Sequence, residues 1–269
     1  MREEIKKRVP EGLLNIGRAT RDWIDRFPED VSACTHPWRL DSQRKLRKYH
    51  NRYQGKRCFV IGNGPSLKNT DLTALSNEYT FGMNRIYLMF PELGFPTSFL
   101  VCVNDLVIEQ TVEDMQKLAV PRFFSWRSRA WLRPADDLHF LHTTYTGPRF
   151  AKNAAGRLWE GATVTYVCLQ LAYYFGFTEV ILIGVDHNFV TQGKPNTTVV
   201  SQGDDPNHFH PAYFGKGFRW QLPDLETSEL AYRMAKQAYE ADGRRIVDAT
   251  VGGKLTVFPK VQYSDLFKG

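Results

Sequence analysis

Short apolar runs that stop abruptly at glycine, asparagine or aspartate punctuate the chain. RCFVI (57–61) ends at GNGPSL (62–67), YTFGMN (79–84) at Asn84, and SFLVCVND (98–105) at Asn104 and Asp105. PRFFSW (121–126), EVILIGVD (179–186) and RIVDAT (245–250) repeat the pattern. Runs of this length, rich in β-branched and aromatic residues, predict buried strands. Between them lie helical patterns. Residues 106–118 are polar, and GATVTYVCLQLAYYFG (161–176) reads as a mostly buried helix closed by Gly176. DLETSELAYRMAKQAYEAD (224–242) starts at a capping Asp224, ends at Gly243, and shows Leu230, Met234 and Ala238 on one face.

Strands alternating with helices predict an α/β fold: a doubly wound, mostly parallel, Rossmann-like sheet with helices on both faces. The long stretch 187–223 separates the last two strands and is expected to form a lid loop in the C-terminal half. Residues 1–56 are patterned differently. Leu13, Leu14, Ile16, Trp23 and Ile24 make a loose amphipathic stripe, cut by Pro10, Pro28 and Pro37. They predict an N-terminal helical, basic extension on a catalytic domain spanning 57–269.

Composition narrows the class. With 42% hydrophobic and 24% charged residues over 269 positions, the chain is an ordinary folded protein, and disorder and fibrous repeats are excluded. No run approaches the roughly 18–20 apolar residues of a membrane span. Charge at the N-terminus, where a signal peptide needs an apolar stretch, implies a cytoplasmic location. Cys34, Cys58, Cys102 and Cys168 are scattered without a CxxC pair, which argues for free thiols rather than a disulfide framework or zinc. Residues 1–57 hold 15 Lys+Arg against 8 Asp+Glu, so they carry +7 of the net +6 and leave −1 for the rest. The excess is densest in RKLRKYHNRYQGKR (44–57), either a solvated helical face or a contact with anionic lipid at the inner membrane face. No basic stripe crosses the body of the chain, so nucleic acid is not an expected partner.

Ligands of doubly wound sheets lie outside the carboxyl ends of the strands, which makes the strand-end residues the candidates. Gly62 and Gly64 allow close backbone approach, and the turn's amides with Ser66 suit a phosphate. Asn63, Asn84 and Asn104 end three strands and offer neutral amides to a base or ribose. Asp186, with Asp204 and Asp205, can hold Mg²⁺ beside nucleotide phosphates or serve as ordinary loop acids. His187 at the same strand end reads equally as a structural or a catalytic histidine. The loop 204–224 concentrates His208, His210, Tyr213, Lys216 and Arg219. Either histidine suits a general base, and Tyr213, Lys216 and Arg219 suit a departing phosphate. In an extended HxH segment the two rings point oppositely, and with no third ligand evident no metal site is expected.

IGNGPSL (61–67) together with GATVTYVCLQLAYYFGFTEVILIGVDHNF (161–189) resembles the MptE-like family, named for archaeal 6-hydroxymethylpterin diphosphokinase, many of whose bacterial members occur in surface-glycan or flagellin glycosylation settings. The same skeleton is similar to the bacterial sialyltransferases of glycosyltransferase family 42. Their GNGPSLK turn matches residues 62–68, and two strand-end asparagines match Asn84 in GMNRIY and Asn104 in VCVND. Their TSG-type helix start matches Gly161–Thr163, and their histidine lid matches NHFHPAYFG (207–215). The resemblance implies that Asn63, Gly64, Ser66, Asn84, Asn104, Gly161, Ala162 and Thr163 contact a nucleotide. It also implies that His208 or His210 is the base and that no metal or other cofactor is required. The chain departs from that pattern at His187–Phe189, where the family's first phosphate tyrosine would fall; Tyr213 matches the second. The expected activity is transfer of an acidic sugar, a sialic-acid-like nonulosonate or Kdo, from a CMP-sugar donor to a glycan or lipid-linked glycan acceptor. The alternatives are Mg-dependent pyrophosphate transfer from ATP to a pterin, and a non-catalytic nucleotide-binding protein of surface-glycan assembly.

Overall fold

The computed structural model describes residues 24, 26–190 and 193–268. Of the N-terminal stripe, Leu13, Leu14, Ile16 and Trp23 lie outside the described residues. Residues 26–35 are helical, and helix α1 (Pro37–Arg47) follows with Pro37 in its first turn, where a missing amide costs nothing. Helix α1 lies against the sheet. Its buried Arg39 donates to the carbonyls of Ala155 and Gly156, and Ser42 Oγ accepts from the Phe140 amide.

Eight strands make one sheet in the order β10-β7-β1-β2-β3-β4-β5-β6, every neighbouring pair parallel. They are β1 (Arg57–Ile61), β2 (Tyr79–Met83), β3 (Phe99–Cys102), β4 (Arg122–Ser125), β5 (Leu138–Thr144), β6 (Arg157–Trp159), β7 (Glu179–Ile183) and β10 (Arg245–Asp248). The expected mostly parallel sheet is therefore parallel throughout. Both faces are covered, which is why nearly every strand position is buried and the strands read as continuous apolar runs. Two apolar layers result, one holding Val60, Phe81, Phe123, Phe175 and Leu182, the other Phe59, Ile61, Leu100, Phe124 and Ile183.

Helix α2 (Phe90–Leu93) is a single turn. The helical pattern at 106–118 is two short helices, α3 (Asp105–Gln110) and α4 (Val112–Lys117), parted at Thr111. Helix α5 (Val164–Phe175) ends at Gly176 with φ +97°, the left-handed cap that its sequence requires. Helix α6 (Leu225–Ala241) is capped by Asp224, which accepts from the Thr227 amide. Its buried face differs from the expected one: Ala231, Tyr232, Ala235 and Tyr239 face the core, whereas Leu230 is exposed. Tyr239 explains the rotation, because its hydroxyl donates to the Leu169 carbonyl of α5 from a fully buried position. Within the lid stretch, β8 (Thr198–Val200) and β9 (Arg219–Gln221) pair as an antiparallel hairpin.

Strand order reverses at β1: successive strands β2 to β6 run to one side, while β7 and β10 lie on the other. The crevice beyond the carboxyl ends of β1 and β7 is the ligand position that such topology creates.

Candidate active site

A cavity of about 150 Å³, open to solvent, occupies that crevice. Its walls come from the β1 turn (Gly62–Gly64), the β2 end (Met83, Asn84), the α5 start (Ala162–Thr165), the β7 end (Gly184–Phe189), the lid (Asn207, His208) and the α6 start (Pro223–Leu225, Ser228, Tyr232). Five non-glycine residues take positive φ among the described residues, and three of them line this one cavity: Asn84 (50°), Ala162 (58°) and His187 (53°). Strained backbone concentrated in this way marks a site built for something other than packing.

The β1 turn commits the amides of Gly62, Gly64 and Ser66 to partners within the protein. Gly62 N–H donates to Ile183 O and Gly64 N–H to Gly184 O, at 2.8 and 2.9 Å. The Asp186 carboxylate then takes the Ser66 amide at 3.1 Å and the Ser66 hydroxyl at 2.7 Å. An aspartate thus occupies the position proposed for a phosphate, and Ser66 with Asp186 fastens the two strand ends together. The glycines are needed for that approach: a Cβ on Gly62 would stand 2.2 Å from Gly184 O, and one on Gly64 would meet the Asp186 carboxylate. Burial holds the Asp186 carboxyl above its ordinary value, a shift that the Ser66 hydrogen bonds only partly offset.

Asn63 fits its expected place. Its Nδ2 donates to Met83 O at 3.2 Å, which fixes the amide's orientation, while Oδ1 is buried without a partner. An acceptor buried without a partner costs about 1–3 kcal/mol. Asn84 lines the cavity with its Oδ1 accepting from the Cys102 thiol at 3.2 Å. Asn104 does not line it; its Oδ1 accepts from the Leu106 and Val107 amides and caps α3. Gly161 (φ +54°) and Ala162 turn the chain into α5, where Thr163 caps the Thr165 amide at 3.3 Å. The Val164 amide has no partner inside the helix, so the positive end of a twelve-residue helix borders the cavity.

The lid brings one expected base to the cavity and turns the other away. His208 lines it, with Nδ1 2.6 Å from Asp205 Oδ2 and its ring stacked on Tyr213 at 4.0 Å. Asp205 is itself buried and also accepts from the amides of Asn207 and Phe214. This places the Nδ1 proton toward the carboxylate and frees Nε2 as an acceptor. Asp205 thus engages His208 and two backbone amides with its carboxylate, and D-x-x-H spacing in the sequence was the signal of the pair. His210 is absent from the cavity walls, and its Nδ1 accepts from the Ala212 amide instead.

Three further expectations are corrected. Tyr213 is fully buried beneath His208, with its hydroxyl against the Arg85 amide, so it supports the histidine ring and does not reach a phosphate. Burial also pushes its hydroxyl well above the usual phenol value. Lys216 is exposed and outside the cavity. Arg219 pairs with Glu109 at 2.9 Å and exchanges hydrogen bonds with the Gln110 side chain, which ties β9 to α3. The described residues lining the cavity include no lysine or arginine. Nor do three His, Cys, Asp or Glu side chains converge as a metal-binding group among the described residues.

A contact that the sequence did not reveal is His187 with Glu229, Nε2 to Oε1 at 3.1 Å across 42 residues. Another is Arg127, which joins Asp105, Glu160 and Thr143 at the carboxyl ends of β3 to β6.

A family model described as 6-hydroxymethylpterin diphosphokinase MptE-like matches residues 39–192. The chain belongs to the MptE-like family. The matched segment carries the GNGPSL turn, the α5 start and Asp186, and it stops before His208. No curated protein matches this MptE-like chain. Among solved structures, the MAf glycosyltransferase from Magnetospirillum magneticum AMB-1 is similar at 13% identity, with a TM-score of 0.48 over 82% of this chain. The chain spans 38% of that protein's length. No helix among the described residues is long and apolar enough to cross a membrane.

Proposed function

We propose that this MptE-like protein is a glycosyltransferase that moves an acidic sugar, a sialic-acid-like nonulosonate or Kdo, from a CMP-sugar donor to a glycan acceptor. The observation that carries the reading is the Asp205–His208 pair, which holds an imidazole at the wall of the crevice cavity. In this reading His208 Nε2 takes the proton of an acceptor hydroxyl as that oxygen bonds to the anomeric carbon. The bond from that carbon to the phosphate oxygen breaks, and CMP leaves with the electron pair. Asn63 Oδ1 and Asn84 would receive base or ribose donors, and the α5 start with Gly161, Ala162 and Thr163 would face the phosphate.

Charge favours this donor over ATP. A CMP-sugar brings one phosphate, which a helix start and neutral or singly charged groups can accommodate. A triphosphate brings several charges, and no lysine or arginine lines the walls to meet them. The Asp186 carboxylate that the pterin diphosphokinase alternative would assign to Mg²⁺ already accepts two hydrogen bonds from Ser66.

Calorimetry with CMP, CDP, UDP, GDP and ATP, each with and without Mg²⁺, tests the reading. Selective binding of CMP that is indifferent to EDTA is expected, followed by transfer from CMP-activated sugars that His208→Ala abolishes and His210→Ala preserves. Preference for ATP with strict Mg²⁺ dependence would defeat it.

A further inference from the structure

Two histidines line the cavity, and each is tied by one ring nitrogen to a carboxylate: His208 to Asp205 on the lid, and His187 to Glu229 on α6. The first pair is absorbed by the proposed mechanism. The second is not, and three observations set it apart from a packing residue. His187 holds a left-handed backbone (φ +53°), a conformation uncommon outside glycine. Its side chain is only 8% exposed yet reaches the cavity wall. Its partner Glu229 is half-exposed and is further held by Arg233 at 3.3 Å, while the Tyr232 ring packs edge-on at 6.2 Å. The Glu229 carboxyl sits below the usual carboxylate range, chiefly through its hydrogen bond to His187, so the pair favours the ionised acid.

We propose that His187 is the phosphate-binding residue of the cavity, donating a hydrogen bond to the nucleotide phosphate and to the oxygen that departs with it. The inference rests on the reading of the site as one for a single-phosphate nucleotide. With no lysine or arginine on the walls, the two histidines are the lining side chains able to carry positive charge. His208 has its Nδ1 proton on Asp205 and must accept a proton at Nε2, which leaves His187 for the anion. Glu229 engages one ring nitrogen, and the other is the nitrogen left to face the phosphate. When the sugar–oxygen bond breaks, that oxygen keeps the electron pair and gains the His187 hydrogen bond. No oxidant, reductant or further reactant is consumed. His187 lines the same cavity as the start of α5, whose Val164 amide has no partner inside the helix and gives the cavity a second positive feature.

The test separates phosphate from nucleoside. CMP and cytidine are titrated calorimetrically into the full chain, as wild type, as His187→Asn and as Glu229→Gln. Asparagine tolerates the left-handed backbone, so the turn is kept. Wild type is expected to bind CMP about tenfold or more tighter than cytidine, the worth of a charge-assisted hydrogen bond. His187→Asn should lose that margin with cytidine affinity unchanged, and Glu229→Gln should narrow it by a few-fold. Retention of the full margin in His187→Asn overturns the inference while leaving the CMP reading intact. So does an equal loss for CMP and cytidine, which would mark His187 as a structural residue. Failure of wild type to bind either compound overturns the CMP reading and this inference with it.

Discussion

Asp205 Oδ2 lies 2.6 Å from His208 Nδ1, and the same oxygen accepts the Phe214 amide, so a single buried carboxylate sets both the imidazole's tautomer and the path of the lid. Asp205→Asn keeps an acceptor for the amides but can also donate to Nδ1, which lets the ring present the wrong nitrogen. Transfer should fall by on the order of 10²–10⁴, in line with losses of a base or of its orienting carboxylate, while CMP binding stays near wild type. A variant with undiminished turnover would show that the carboxylate has no orienting role.

The β1 turn supplies a prediction about folding. In Gly64→Ala the new methyl must displace the Asp186 carboxylate, and Gly184 O lies 2.9 Å from the same position. The two Ser66 hydrogen bonds are then lost, and a destabilisation of about 3 kcal/mol is expected. Removing the obstacle should restore part of it: Gly64→Ala combined with Asp186→Ala should be less destabilised than the sum of the single changes. Urea denaturation of the four proteins completes the cycle, and strict additivity would contradict the contact.

Much of this architecture was legible in the sequence because both faces of the sheet are covered. That makes β1, β2, β3, β4, β7 and β10 plain apolar runs. Strand β5 does not read as an apolar run because LHFLHTT interleaves two histidines and two threonines, whose partners come from elsewhere in the chain. His142 meets Asp30 at 2.8 Å, and Thr143 donates to Glu160. Strand β6 has three residues, too few to show a period. At the site, Asn63 and Asn84 were singled out as strand-end amides and Ala162 by the resemblance alone, but partners separated by 18 to 120 residues were not readable. The sequence could not show that Asp186 would satisfy Ser66, that Asn104 would be spent as a cap, or that Arg219 would turn toward Glu109.

Arg127 links the β3 end to the turn before α5. It meets Asp105 at 2.6 Å and Glu160 at 2.8 Å, and the Glu160 carbonyl accepts the Thr163 amide that opens α5. Arg127→Met strands two half-buried carboxylates, with an expected loss of about 2 kcal/mol. CMP affinity should fall as well, because the Gly161–Thr163 turn loses its anchor. Arg127→Lys should recover part of the stability, since one ammonium cannot bridge both acids in the guanidinium's geometry. Thermal melts with and without CMP read both effects, and unchanged affinity in Arg127→Met would detach this cluster from the site.

His139 makes the fold sensitive to acid. It is buried, stacked on Phe123 at 4.6 Å, with Nδ1 3.2 Å from Arg122 O. Burial holds its pKa at about 4, below the ordinary 6.5. The native state therefore resists a proton that the unfolded chain accepts. Stability from this group is complete above pH 6.5, falls as pH drops toward 4, and levels off below. The full loss is about 3 kcal/mol. His139→Phe replaces the ring without a titrating nitrogen and should flatten the curve through that window. Urea midpoints measured at intervals from pH 7 to pH 4 decide the matter: parallel profiles for wild type and variant would mean that the acid sensitivity lies elsewhere.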